Sequence, residues 1–145
     1  MNYMNLIFKT INMRKILILF FLLALPILSY TQDVVKMKAK FLSINLRDDY
    51  GNWQEWSETV ECNILLVINI DKDLITVFLE EDQKYDIIST EMTQSESEID
   101  FNFVCIGDSG EKYQVILTKD KETGDTGKIT FIGENIAWVY LLIWL

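Results

Sequence analysis

Along residues 32–145, apolar and polar positions alternate with a period of two, and the runs are broken by clusters of Gly, Asp, Asn and Ser. Period two places successive side chains on opposite faces of an extended chain, whereas a helix would repeat apolar residues at three- and four-residue spacing. Helical spacing is nowhere sustained, and Val, Ile, Phe, Tyr and Thr fill the alternating runs. The pattern predicts an all-β domain of about eight strands.

The first predicted strand, residues 34–46, sets Val35, Met37, Ala39 and Phe41 against Lys36, Lys38 and Lys40; the apolar phase then moves to Leu42, Ile44 and Leu46. One extra residue in a strand produces such a shift, so a β-bulge is expected, a device that bends a sheet toward closure. Further strands are expected over 62–70, 74–80, 84–89, 98–105, 112–118, 128–132 and 135–145. Most connections are short, such as Asp71-Lys72, Glu81-Asp82-Gln83, Gly107-Asp-Ser-Gly110 and Gly133-Glu-Asn135. Short connections join antiparallel neighbours, which predicts a meander closed as an up-and-down or flattened barrel. A two-sheet β-sandwich is the alternative.

Ahead of this domain, Arg14 and Lys15 precede an apolar run over 16–28 and then Ser29-Tyr-Thr-Gln32. A basic start, a short apolar run and small residues near a boundary are the marks of a secretory signal peptide, expected over residues 1–31. The run falls short of the roughly 20 residues a membrane helix needs, so no integral span is expected after its removal. Met13 begins a well-formed signal of its own, which makes residues 1–12 an over-extended start. The domain at 32–145 is then exported, to the periplasm or beyond.

Charge narrows the partners. Of 13 basic and 22 acidic residues, three basic ones (Lys9, Arg14, Lys15) and no acidic ones fall in 1–31, leaving 10 against 22 and a net charge of −12 beyond it. Such a chain repels phosphate backbones, so no nucleic acid is expected as partner. The absence of histidine removes Ser-His-Asp and Cys-His catalysis and imidazole metal ligation. Asp71-Lys-Asp73 and Asp120–Asp125 space oxygen ligands as calcium loops do, but Phe131 stands where the second would need its bidentate acid, and both suit solvated hairpin tips. No catalytic residue, metal or cofactor is expected, and the protein is read as a non-enzyme.

What remains distinctive is aromatic. Tyr50, Trp53, Trp56, Tyr85 and Trp138 are the candidate ligand-binding residues, and with Tyr140 and Trp144 they exceed what a core of this size readily fills. Cys62 and Cys105 could bridge in an oxidising compartment, yet a meander puts two strands between theirs; a disulfide and two separate buried thiols both stay open. The last stretch, residues 136–145, is apolar on both faces, as a closing strand whose outer face is covered or paired in a homodimer would be.

Gly51-Asn-Trp53 resembles the G-x-W element of lipocalins, a calycin family of eight-stranded barrels. That resemblance implies a barrel with an apolar ligand and a tryptophan packed across one end. The run Asn63–Val77, with Gln83-Lys-Tyr-Asp-Ile-Ile88, is similar to small secreted bacterial β-proteins of unassigned function. Together these features point to an exported, non-catalytic binding module for an apolar or aromatic ligand or a protein partner. The alternative is an envelope structural protein that associates through its C-terminal strand.

Overall fold

The computed structural model describes residues 33–145, so the signal peptide expected over 1–31 lies outside the described residues. Asp33–Leu145 forms one compact unit. Its strands are β1 (Val34–Leu46), β2 (Val60–Asn69), β3 (Leu74–Phe78), β4 (Gln83–Gln94), β5 (Glu98–Gly107), β6 (Lys112–Asp120), β7 (Thr126–Ile132) and β8 (Ile136–Trp144). Each pairs antiparallel with its neighbour in sequence, and β8 returns to β1, closing an up-and-down barrel. The closed order leaves no two-sheet sandwich.

Closure follows from the side-chain pattern. Residues directly opposite in antiparallel strands share a face, so the register identifies the interior. Met37 faces Leu66, Leu66 faces Val77, Val115 faces Phe131, and Phe131 faces Trp138; the first five of these are fully buried. An eight-stranded barrel has just the width that side chains can fill, and here Met37, Leu66, Ile68, Ile75, Ile129 and Phe131 fill it. An apolar interior is the reverse of a membrane barrel, whose lumen is polar. No helix among the described residues is long and apolar enough to cross a membrane.

The expected bulge in β1 is present, between Ala39 and Phe41, and it shifts the register toward both β2 and β8. Against β8, Lys40 is the extra residue; against β2 the extra residue lies on β2, where Cys62 and Asn63 together stand opposite Lys40. Phe41, expected on the inner face, stands outside opposite Leu141 and is 38 % exposed. Phe41 and Leu42 are both apolar, so the sequence pattern shows that the phase changes without showing at which residue. A second bulge, between Ile87 and Ser89, had no such signature, because beyond it β4 is mostly polar. Pairing with β5 alone carries β4 on to Gln94, five residues past its expected end.

Between β1 and β2 the chain turns at Asp48–Asn52. The Asp48 carboxylate accepts hydrogen bonds from the backbone N–H of Tyr50 (2.9 Å) and Asn52 (2.8 Å). The Asn52 bond is the main reason that the Asp48 carboxyl lies below its usual range. Gly51 takes φ +83°, a conformation glycine adopts without strain. The chain then runs back along the open end of β1, with Gln54 N–H donating to the Leu46 carbonyl and Ser57 N–H to the Ile44 carbonyl. Residues 53–57 thus complete the wall where β2 has not yet begun.

Candidate functional site

Five aromatic rings form the floor of one barrel end. Phe131 stacks on Trp138 (centroids 5.1 Å, planes at 5°) and also meets Tyr85 at 4.9 Å and Tyr140 at 6.2 Å. Tyr113 sits edge-on to Trp138 at 5.8 Å and to Tyr85 at 5.3 Å. Edge-to-face and offset pairs of this kind are worth about 0.5–1.5 kcal/mol each beyond their buried area. Burial pushes the hydroxyl pKa values of Tyr85, Tyr113 and Tyr140 upward, so these rings stay neutral.

Above that floor lies a hollow of about 240 Å³, lined by Leu42, Ile44, Leu79, Ile136, Trp138 and Tyr140, with Gln83 as its amide. Register explains the convergence: Leu42 faces Tyr140 and Ile44 faces Trp138, so the residues beyond the bulge point into the mouth. Ile44 and Ile136 are each 38 % exposed, so this part of the apolar lining faces water. Gln83 also borders a second, polar hollow of about 200 Å³ with Tyr85, Asp108, Glu111 and Tyr113. The Tyr85 hydroxyl donates to Gln83 Oε1 at 2.9 Å, tying down the side chain where the two hollows meet.

A larger hollow, about 460 Å³, lies on the outside of the wall over β7 and β8, next to Phe41, Leu141 and Ile143. Lys40 and Lys128 stand beside it, but so do Glu98 and Asp120. Charges of both signs around an open surface select no class of ligand. The smaller mouth is the better candidate because its apolar lining is convergent and rests on a rigid floor.

The sequence-predicted site residues do not converge. Tyr85 is buried in the floor and Trp138 lines the mouth, so these two belong to one region. Tyr50 projects from its turn at 91 % exposure, and Trp56 is half-exposed on the segment that runs along β1. Trp53 bridges to Arg47, whose guanidinium lies 4.3 Å from its ring centroid, on the side of β1 that carries Ser43 and Asn45. It packs against the outer wall and not across the barrel end, unlike the arrangement that the lipocalin resemblance implies. The missed residues are Leu42, Ile44, Leu79, Gln83 and Ile136. They are ordinary strand aliphatics and an amide; only barrel closure brings them together.

Both cysteines are free thiols. Cys62 lies on β2 and Cys105 on β5, with β3 and β4 between them. Burial pushes the Cys105 thiol up to about 12, and raises Cys62 as well. In the unfolded chain Cys105 would release its proton near its ordinary value of 9.0. The folded state then holds more protons than the unfolded state between about 9 and 12, so stability falls as pH rises through that window and is fully present below it. Chemical unfolding of wild type and Cys105→Ala at a series of pH values will show a shallower loss between pH 9 and 10 in the variant, before the tyrosines begin to titrate. Identical slopes would remove Cys105 as the cause.

β8 is hydrogen-bonded along both edges, to β1 and to β7. Association through residues 136–145, one expectation from the sequence, has no free strand edge to use and would fall to the exposed side chains Leu141 and Ile143. The acidic loops are occupied locally. Asp71 Oδ2 accepts the Asp33 N–H, and Asp120 Oδ1 accepts the N–H groups of Glu122 and Thr123. Comparison of the chain with protein-family models, curated proteins and solved structures finds no match.

Proposed function

We propose that this protein is an exported, non-catalytic binding module that takes a small apolar or aromatic group into the mouth of its barrel. The observation that carries this is the apolar mouth itself: four aliphatic side chains and two aromatic rings converge on about 240 Å³ above a packed aromatic floor. The barrel's middle is filled by its own side chains, which favours a ligand held at the end over one enclosed within. Each water displaced takes about 30 Å³ of liquid volume, so the mouth has the capacity of about eight waters, enough for one indole-sized group. The apolar stretch at 16–28 supports export.

Indole is the direct probe. Calorimetric titration, with backbone chemical shifts to locate the site, should show one site at about millimolar concentration or tighter, equivalent to about 4 kcal/mol. Shifts should centre on Ile44, Ile136 and Trp138. The double variant Ile44→Gln/Ile136→Gln, at exposed positions that the fold tolerates, should weaken binding at least fivefold. Saturating indole with no shift at the mouth would sink the proposal.

A further inference from the structure

The mouth is apolar, but its rim is not. The loop that supplies Leu79 continues as Glu80-Glu81-Asp82, the turn before Ile136 carries Glu134, and the polar hollow beyond Gln83 holds Asp108 and Glu111. All six carboxylates are exposed. Two are positioned. Asp108 Oδ2 accepts the backbone N–H of Lys84 at 3.3 Å, and the Glu111 carboxylate lies beside Gly107 and the Tyr113 ring. Both also raise the hydroxyl pKa values of adjacent rings, Asp108 that of Tyr85 and Glu111 that of Tyr113, which agrees with their closeness to the aromatic floor.

Three cations share this end. Lys84 lines the polar hollow, Lys112 follows Glu111, and Arg47 is spent on Trp53. They do not balance the carboxylates of the same loops, so the potential at the rim is negative. Around an apolar hollow such a field favours a positive group at the water-facing end of the ligand, and it opposes a negative one.

We propose that the ligand of the barrel mouth is a small amphipathic cation: an aromatic or branched apolar body seated over Trp138, with an ammonium group directed past Gln83 toward Asp108 and Glu111. This rests on the binding role proposed above and adds the sign and position of the ligand's charge. One body with three charges tests it. Tryptamine, indole and indole-3-acetate, titrated against the full domain at neutral pH and low salt, should bind in that order, tryptamine at least tenfold tighter than indole. The tryptamine advantage should shrink severalfold at high salt, where the screening length falls to about 3 Å. Asp108→Asn/Glu111→Gln should abolish the advantage while leaving indole unchanged. Tryptamine no tighter than indole, or an advantage that survives the double variant, would overturn the charge assignment and leave the mouth as an apolar site. If indole and tryptamine both fail to shift the mouth residues, the binding role falls with it.

Discussion

Phe131→Ala should lower the stability of the barrel by about 3–5 kcal/mol, the largest effect expected of any single truncation in the core. Phe131 has no exposed surface and touches the rings of Tyr85, Trp138 and Tyr140. Its removal loses the transfer free energy of the ring and leaves a void that the closed wall cannot collapse to fill. A closed sheet shares every strand's hydrogen bonds with two neighbours, so inward movement of β7 would strain its pairing with both β6 and β8. For a domain of this size each kcal/mol corresponds to roughly 4 °C, which predicts a fall of about 12–20 °C in Tm by circular dichroism. Phe101→Ala is the comparison. Phe101 is only half-buried and stacks on a single ring, Phe103 at 6.5 Å, so it should cost less than half as much. Equal losses would mean that the aromatic floor has no special packing role. A large loss in Phe131→Ala should also loosen the mouth, because Trp138 rests on that ring.

Gly127→Ala should cost about 3 kcal/mol through a different mechanism, overlap without any cavity. Gly127 pairs with Lys119 on one side and Leu142 on the other. A Cβ there would overlap the Thr118 carbonyl oxygen and press on Trp144 Cζ2 at 3.3 Å. Trp144 could give way; the Thr118 carbonyl cannot, because it belongs to the backbone of a paired strand. The β6–β7 pairing must open locally, close to the Asp100–Thr118 hydrogen bond. Gly110→Ala separates this from an ordinary glycine effect: at Gly110 φ is +86° and nothing lies within 4 Å of the added carbon, so only left-handed strain of about 1–2 kcal/mol applies. Denaturant unfolding should rank Gly127→Ala well below Gly110→Ala. The reverse order would show that the backbone around Thr118 can relax.

The strand pattern was legible for a definite reason. Where one face is buried, period two writes the interior directly into the chain, as in β5, where Ile99, Phe101, Phe103 and Cys105 alternate with Glu98, Asp100 and Asn102. All eight strands begin within two residues of expectation for that reason. β4 is the instructive exception at its far end: Thr90, Met92 and Gln94 share the face of Phe103, Phe101 and Ile99, yet all three are exposed because β3 is too short to cover them. Burial had nothing to select there, so the sequence carried no signal that the strand continued.

The mouth was less legible. Sequence singled out tryptophans, because aromatic surplus stands out in a composition; of Trp53, Trp56 and Trp138, only Trp138 lines the mouth. The two in the 53–57 segment serve the outer wall, placed there by the backbone bonds of that segment to Ile44 and Leu46.

By itself, the sequence determined the strand class, the antiparallel meander, the need for a bulge in the first strand and the strongly acidic balance. Each is a property of neighbours along the chain: alternation, short connections, a phase shift, a count of charges. The tertiary structure alone decided between the closed barrel and the sandwich, that the bulge against β8 falls at Lys40, and that Leu42, Ile44, Leu79 and Ile136 meet above one aromatic floor. Those depend on which side chains face each other across a closed barrel, and separation along the chain gives no measure of that distance.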